Sequence, residues 1–395
     1  MQVGINCLQI DPAFAGGVNT YTLGLLEGFA ARRNGCRVRL YVTGANRRLF
    51  EKFRENSHFA MTVIDERRLA LRKNICRAAL LSCSKGFYKF ASDLSFENIR
   101  KLMDSEADIV YTPTVVLQCF NGRKPTVLSM HDIQHVHYPE FFSRARRLSR
   151  KITYGLSAHH ASYFQASSQF IKEDLLAHFG GISPDQIEVI PEGVRIEKFT
   201  APRSVESLVA RYGLAERFLF FPAQLWPHKN HVTVLKALKQ IETTQRLKIP
   251  LVMTGAKFSA ASRIAEFIAD QSMDYVRYLG KIPFEDIVGL YQQAAFLVTA
   301  VLYESSSLPI LEAAAAGTPI IASKTPPNEE IARVLRLNLF EPLDTDELAR
   351  LIFALWNDEK TASAQAAYNR EHIGFYSWEN AARKYLQFFQ RIVIS

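Results

Sequence analysis

Short apolar runs recur along the chain, separated by longer stretches in which apolar residues return every three or four positions. The first pattern reads as buried strand and the second as amphipathic helix. Strands are expected at 3–10, 37–42, 108–111, 126–130 and 187–190, with a helix over 18–33 after the first. Past residue 215 the rhythm returns, with strands expected at 218–223, 250–254, 275–279, 295–300 and 319–322. Strands alternating with helices build parallel sheets covered on both faces. Two such series predict an α/β protein of two doubly wound, Rossmann-like domains. The expected division is 1–195 and 196–376, with a closing helix over 377–395. In that helix Trp378, Ala381, Tyr385, Phe388 and Phe389 fall at helical spacing, and packing back on the N-terminal domain is the expectation adopted.

A length of 395 residues agrees with two cores of ordinary size. No apolar run approaches the roughly 18 residues of a spanning helix. The start, Met1-Gln2-Val3-Gly4-Ile5, reads as a strand and not as a signal peptide. Cysteines stand at 7, 36, 76, 83 and 119, without C-x-x-C spacing, which predicts free thiols and a cytoplasmic setting. The net charge of +9 is concentrated in residues 1–195. The stretch 66–90 mixes Arg67, Arg68, Arg72, Lys73, Arg77, Lys85 and Lys89 with apolar residues. It reads equally as an ordinary amphipathic helix or as a segment lying on an anionic membrane at the inner face of the plasma membrane. No nucleic-acid partner is expected.

Ligands of open parallel sheets bind beyond the carboxyl ends of the strands. The distinctive residues fall there: His131-Asp132 after 126–130, Gln224 to Lys229 after 218–223, Gly255 after 250–254, Gly280 after 275–279, and Glu304 after the run ending at Leu302. These strand ends predict one cleft between the two domains. Tyr303-Glu304-Ser305-Ser306-Ser307-Leu308 leads into an alanine-rich helix stopped by Gly317 and Pro319. Free amides at a helix start favour an anion, and the flanking acids Glu304 and Glu312 can hold hydroxyls, so a nucleotide sugar fits.

Other chemistry is disfavoured. His131, His135 and His137 share one loop but lack a cysteine or acid at ligand spacing, so a metal is not expected. Asp344-Thr345-Asp346 reads as a helix cap with Glu347 completing a capping box, not as a manganese site. Gly16-Gly17 lacks the glycine spacing of a dinucleotide site.

In this order, the motifs resemble glycosyltransferase family 4, of GT-B fold, over nearly the whole chain. Glu304 and Glu312 match its E-x7-E signature. Gly16-Gly17-Val18 resembles its first loop, and Ile190-Pro191-Glu192-Gly193-Val194 the approach to its linker. Pro222-Ala223-Gln224-Leu225-Trp226-Pro227-His228-Lys229 resembles its phosphate loop. The resemblance implies two domains facing across a cleft and a retaining, metal-independent transfer from a GDP- or UDP-linked hexose, with no other cofactor. Mannose is the first candidate sugar, and the acceptor implied is a glycan, or a lipid-linked glycan of a surface polysaccharide.

It also implies roles. His131, Lys229 and Glu304 would be catalytic. Gly16, Gly17, Gln224, Lys229, Gly255, Gly280, Ser306, Ser307, Leu308 and Glu312 would bind the donor. His135 and His137 would face the acceptor. Three positions depart from the family pattern: Gln224 replaces a common arginine, Ser305-Ser306-Ser307 replaces Gly-Phe-Gly, and Thr299-Ala300 replaces Pro-Ser. They keep open a non-catalytic, membrane-peripheral glycan-binding scaffold; a sugar-nucleotide epimerase of the same fold class is a second alternative.

Overall fold

The computed structural model describes residues 1–13, 17–32, 36–65, 84–118, 120–201 and 206–394. It divides into two compact units, Met1–Gly193 with Trp378–Ser395, and Val194–Ser377. The first boundary thus falls two residues before the expected one. Gly16 and most of the basic stretch (66–83) lie outside the described residues.

The first unit holds a seven-stranded parallel sheet: β1 (Gln2–Asn6), β2 (Arg37–Thr43), β3 (Phe59–Ile64), β4 (Ile109–Thr112), β5 (Thr126–Met130), β6 (Tyr163–Ala166) and β7 (Ile187–Val189). The spatial order is β3-β2-β1-β4-β5-β6-β7. Val3 pairs with Val38 on one side and Ile109 on the other. Covered on both faces, β1 is nearly all buried, which is why it reads as a continuous apolar run rather than an alternation. It stops at Asn6, short of the expected residue 10, because the Asn6 side chain takes the Leu8 N–H and turns the chain.

Helices α1 (Gly17–Ala30), α2 (Lys85–Glu106) and α3 (Arg144–His160) belong to this unit. The last two are capped by Ser84 and Ser143, whose hydroxyls accept the N–H of Phe87 and Arg146. The C-terminal helix, Trp378–Ile394, packs on α1. A side chain on Gly24 or Gly28 would overlap Trp378, so both glycines serve close approach of the two helices. Beneath them the hydroxyls of Tyr21, Tyr111, Ser129 and Tyr385 form one buried cluster with Gln165. The apolar positions expected of the last helix, Trp378, Ala381, Tyr385, Phe388 and Phe389, are all in this core.

The second unit holds a six-stranded parallel sheet: β8 (Leu219–Pro222), β9 (Leu251–Thr254), β10 (Val276–Tyr278), β11 (Phe296–Thr299), β12 (Ile320–Ser323) and β13 (Asn338–Phe340), in the order β10-β9-β8-β11-β12-β13. Helices α4 (His231–Gln245), α5 (Phe284–Gln293), α6 (Leu308–Ala316) and α7 (Thr345–Asn357) flank it. Asp344 caps α7 by accepting the Glu347 N–H at 2.8 Å, while the Glu347 carboxylate takes the Glu341 N–H instead of closing the expected box. Strand order reverses direction at β8, which lies between β9 and β11, so the carboxyl ends of β8 and β11 stand side by side. Such a switch point opens a crevice beyond the carboxyl ends of the strands. Among the described residues no helix is long and apolar enough to cross a membrane.

Candidate active site

The segment after β8 is held from several sides. Pro227 starts a single 3-10 turn, Pro227–Lys229, and Asn230 ends it in the left-handed region at φ 55. Asparagine tolerates that conformation better than most residues. The Asn230 amide also donates to the Pro342 carbonyl at 2.9 Å and its oxygen accepts from Thr233. The Leu302 N–H, beyond β11, donates to the His228 carbonyl at 2.8 Å and ties the two strand ends together. Lys229 thereby reaches Glu304, with Nζ 2.9 Å from Oε2. The other Glu304 oxygen, Oε1, is buried without a hydrogen-bond partner. A buried polar atom left this way is costly unless a ligand completes it.

Four residues on, α6 begins. Ser307 stands at its N-cap, fully buried, with its hydroxyl neither capping the helix nor bonded elsewhere. The helix start offers fewer free amides than the sequence suggests. Pro309 has no N–H, and Ile310 and Leu311 both donate to the Ser307 carbonyl. By position, the first helical amide, that of Leu308, has no acceptor within the helix, and Ser306 and Leu308 keep part of their surface open. The far end of α6 closes on Gly317 at φ 76, where any side chain would collide with the Arg370 guanidinium.

Glu312 lies one turn into α6. The Tyr291 hydroxyl, from α5, donates to its Oε2 at 2.8 Å. Burial pushes the Glu312 carboxyl up to about 7, against the opposing pull of the Tyr291 hydroxyl and Arg195. Tyr291 was not expected from sequence. It lies 21 residues before Glu312 in an ordinary apolar helix face, with no local signal.

Gly255 has φ 126, and a Cβ there would meet the Ala223 carbonyl at 2.5 Å. Its N–H donates to the Gly280 carbonyl at 2.8 Å, so the ends of β9 and β10 are joined by the two expected glycines. Gln224 accepts from the Trp226 indole at 3.0 Å, which braces the turn before Lys229. In the second unit, then, Lys229, Glu304, Ser306, Ser307, Leu308 and Glu312 gather at the β8–β11 switch point, with Gln224, Gly255 and Gly280 shaping the adjoining loops.

The remaining expected residues lie in the first unit. Gly17 opens α1, and a Cβ there would meet nothing within 4 Å, so the backbone itself does not demand glycine. His131 follows β5. Its Nε2 is 2.8 Å from the Pro113 carbonyl, which can only accept, so the proton sits on Nε2 and leaves Nδ1 as an acceptor. Nδ1 lies 3.9 Å from Glu192, and burial holds the imidazole below its usual range. His135 and His137 share the short helix Gln134–His137 but diverge. His137 binds both Asp174 carboxylate oxygens, at 2.8 and 3.0 Å, while His135 packs edge-on to Tyr154. Among the described residues no three His, Cys, Asp or Glu side chains gather as metal ligands.

The two sheets and the switch-point site have the fold of GT-B glycosyltransferases. Solved structures with this fold include Anabaena HepE in complex with UDP and glucose (TM-score 0.75, 17% identity, 99% of this chain and 100% of that one). WaaG, a glycosyltransferase involved in lipopolysaccharide biosynthesis, is also similar (TM-score 0.68, 14% identity, 98% and 99%). Residues 15–198 match the family model Glycosyltransferase Family 4 and residues 211–372 match Glycosyl transferases group 1. Each half of the chain thus carries a glycosyltransferase domain, the first matching the family 4 model and the second the group 1 model.

Among its relatives is the O-antigen chain mannosyltransferase B of Escherichia coli, 24% identical over 64% of this chain and 67% of that protein. Another is the D-inositol 3-phosphate glycosyltransferase of Corynebacterium urealyticum, 27% identical over 52% and 51%. The chain thus aligns with about half to two thirds of the length of these relatives.

Proposed function

We propose that the protein is a retaining hexosyltransferase. It moves a sugar, mannose as first candidate, from a GDP- or UDP-linked donor to a hydroxyl of a glycan, in the assembly of a lipid-linked surface polysaccharide. The observation that carries this reading is the Lys229–Glu304 pair beside the start of α6. As the bond from the anomeric carbon to the diphosphate oxygen breaks, negative charge grows on the diphosphate. The lysine and the Leu308 amide would meet that charge, and fixed donors in a partly buried site act more strongly than in water. The leaving phosphate takes the acceptor hydroxyl's proton as the new glycosidic bond forms on the same face. Glu304, with one oxygen unpartnered, would hold sugar hydroxyls. Glu312 would hold those of the ribose. His131, with Nδ1 as acceptor, would face the transferred sugar.

Several relatives support a mannosyl donor and a polysaccharide product: the O-antigen mannosyltransferase above is one, and another is a mannosyltransferase of O-antigen from Salmonella typhimurium. The proposal includes catalysis without a metal ion, with cationic side chain and amide supplying the positive field. It also includes peripheral contact with an anionic membrane. In α2, Phe87, Phe90 and Leu94 are exposed at i, i+3 and i+7 beside Lys85, an arrangement suited to an interfacial surface.

The test is release of nucleoside diphosphate from a panel of GDP- and UDP-sugars, with and without a glycan acceptor, in EDTA. Acceptor-dependent release with an α-linked product from an α-linked donor supports the proposal. Conversion of donor without acceptor points to an epimerase, no turnover of any donor points to a scaffold, and loss in EDTA restored by manganese ends the metal-free mechanism.

A further inference from the structure

The first unit contains a cavity of about 740 Å³ that the reaction above does not use. It lies over one face of α3, with walls from Lys85 of α2, His135, Val136 and the segment His178–Gly180. The α3 residues turned to it follow helical spacing. Arg144, Arg147 and Lys151 come first, and then Tyr154, Gly155 and Ala158. The first group is cationic and the second is mostly uncharged, with Tyr154, Gly155 and Ala158 beside His159 and His178.

Three features suit the cavity to an anion. Arg150, also in the wall, is held by Asp132 at 3.2 Å, whereas no carboxylate among the described residues pairs with Lys85, Arg144, Arg147 or Lys151. The Arg147 Nε is buried without a hydrogen-bond partner. So is Nδ1 of His135, a residue only 9% exposed. Buried polar atoms without partners are rare in a folded protein and mark a place where a ligand completes the bonding, and the Arg147 Nε can only donate. Like charges left together in one concavity also repel, and a bound anion relieves that cost.

The geometry points to this cavity as a binding site for the phosphate or diphosphate ester of a lipid-linked acceptor. The ester oxygens would take Arg144, Arg147, Lys151 and the His135 ring. The apolar continuation would run along Val136, Leu148 and Tyr154. Guanidinium groups match such oxygens in pairs, and the exposed Val136 and Leu148 give the lipid a non-polar path. This deepens the proposed function, since it rests on the acceptor being lipid-linked.

Gly155 supplies a test independent of charge. A Cβ there meets nothing within 4 Å, and the residue is mid-helix, so Gly155→Leu fills the cavity without backbone strain. Binding of farnesyl diphosphate to the full chain is measured by calorimetry in a Lys229→Ala background, which removes the donor-site cation. Inorganic pyrophosphate, farnesol and phosphatidylglycerol vesicles are run beside it, and melting temperature checks folding.

The expected result is saturable binding of farnesyl diphosphate, weaker binding of pyrophosphate and none of farnesol. Arg147→Ala with Lys151→Ala, and separately Gly155→Leu, each weaken farnesyl diphosphate roughly tenfold or more. Binding unchanged in both variants overturns the inference. So does binding that appears only with Lys229 intact, or vesicle binding that farnesyl diphosphate does not compete, which would make the cations a bilayer-facing surface. If these binding results hold while no donor is turned over, the cavity stands and the transferase reading falls.

Discussion

Lys229 and Glu304 are 75 residues apart in sequence and 2.9 Å apart in space, with the lysine reaching one carboxylate oxygen while the other is buried and unpartnered. The pair exists because β8 and β11 are neighbours in the sheet and each ends in a loop of fixed shape. Two of the three lysine N–H bonds remain for a ligand, and the carboxylate is oriented before the ligand arrives.

Removing the lysine should therefore have two separable effects. Lys229→Ala is expected to lower turnover by on the order of a hundredfold, as for a lost donor to developing charge. It should also lower the melting temperature, because Glu304 is left buried and alone, at about 1–3 kcal/mol. Adding Glu304→Gln should restore the melting temperature and not the turnover. Steady-state kinetics with calorimetry would check both, and full activity in Lys229→Ala would sink its assigned role.

Glu312 predicts a pH dependence of donor binding. Its carboxyl is raised to about 7, so it is largely protonated below that pH and ionised above. Ribose hydroxyls donate better to the carboxylate, so nucleoside diphosphate affinity should fall as pH drops from 8 to 6. Tyr291→Phe removes the hydroxyl that favours the ionised form and should move the transition to higher pH. Glu312→Gln should flatten the profile, which separates this group from titration of the phosphate itself. The sign for folding follows. Because the folded carboxyl holds its proton to higher pH than the unfolded one, its contribution to stability is present below about 4.5 and is lost as pH rises through about 7.

The two strand-end glycines should respond unequally. Gly255→Ala brings a Cβ within 2.5 Å of the Ala223 carbonyl at φ 126, whereas Gly280 at φ 70 has open space around its Cβ position. Gly280→Ala is expected to cost about 1 kcal/mol, the left-handed penalty alone. Gly255→Ala should cost several-fold more and displace the end of β8. Equal melting temperatures for the two would contradict the close approach.

Trp378→Ala should destabilise the first unit by about 3–5 kcal/mol, since the buried indole fills the space above Gly24 and beside Gly193. Chemical denaturation followed by circular dichroism would measure it. A loss below about 1 kcal/mol would mean that the C-terminal helix is not part of that core.

Much of this architecture is legible in the chain. The runs at 126–130, 250–254 and 319–322 read as strands because both faces are covered and every residue is apolar or small. Three strands escape such reading. Phe59–Ile64 is an edge strand, apolar but for Thr62 and mostly only half-buried, Asn338–Phe340 is a three-residue edge strand, and Tyr163–Ala166 is short and carries Gln165 into the buried tyrosine cluster. At the site, Lys229, Glu304 and Glu312 announce themselves by charge at strand ends and in a helix start. Tyr291 and Asp174 do not, because their roles come from partners distant in sequence.

The sequence by itself determined the alternation of strand and helix, the cap at Asp344, and the placing of charge beyond strand ends, since each depends on residues a few positions apart. Only the tertiary structure decided that β8 lies beside β11, that Glu312 meets Tyr291, and that the α3 cations border a cavity. Neighbour order and burial depend on how distant segments pack, and the local pattern of apolar and polar residues carries no term for that.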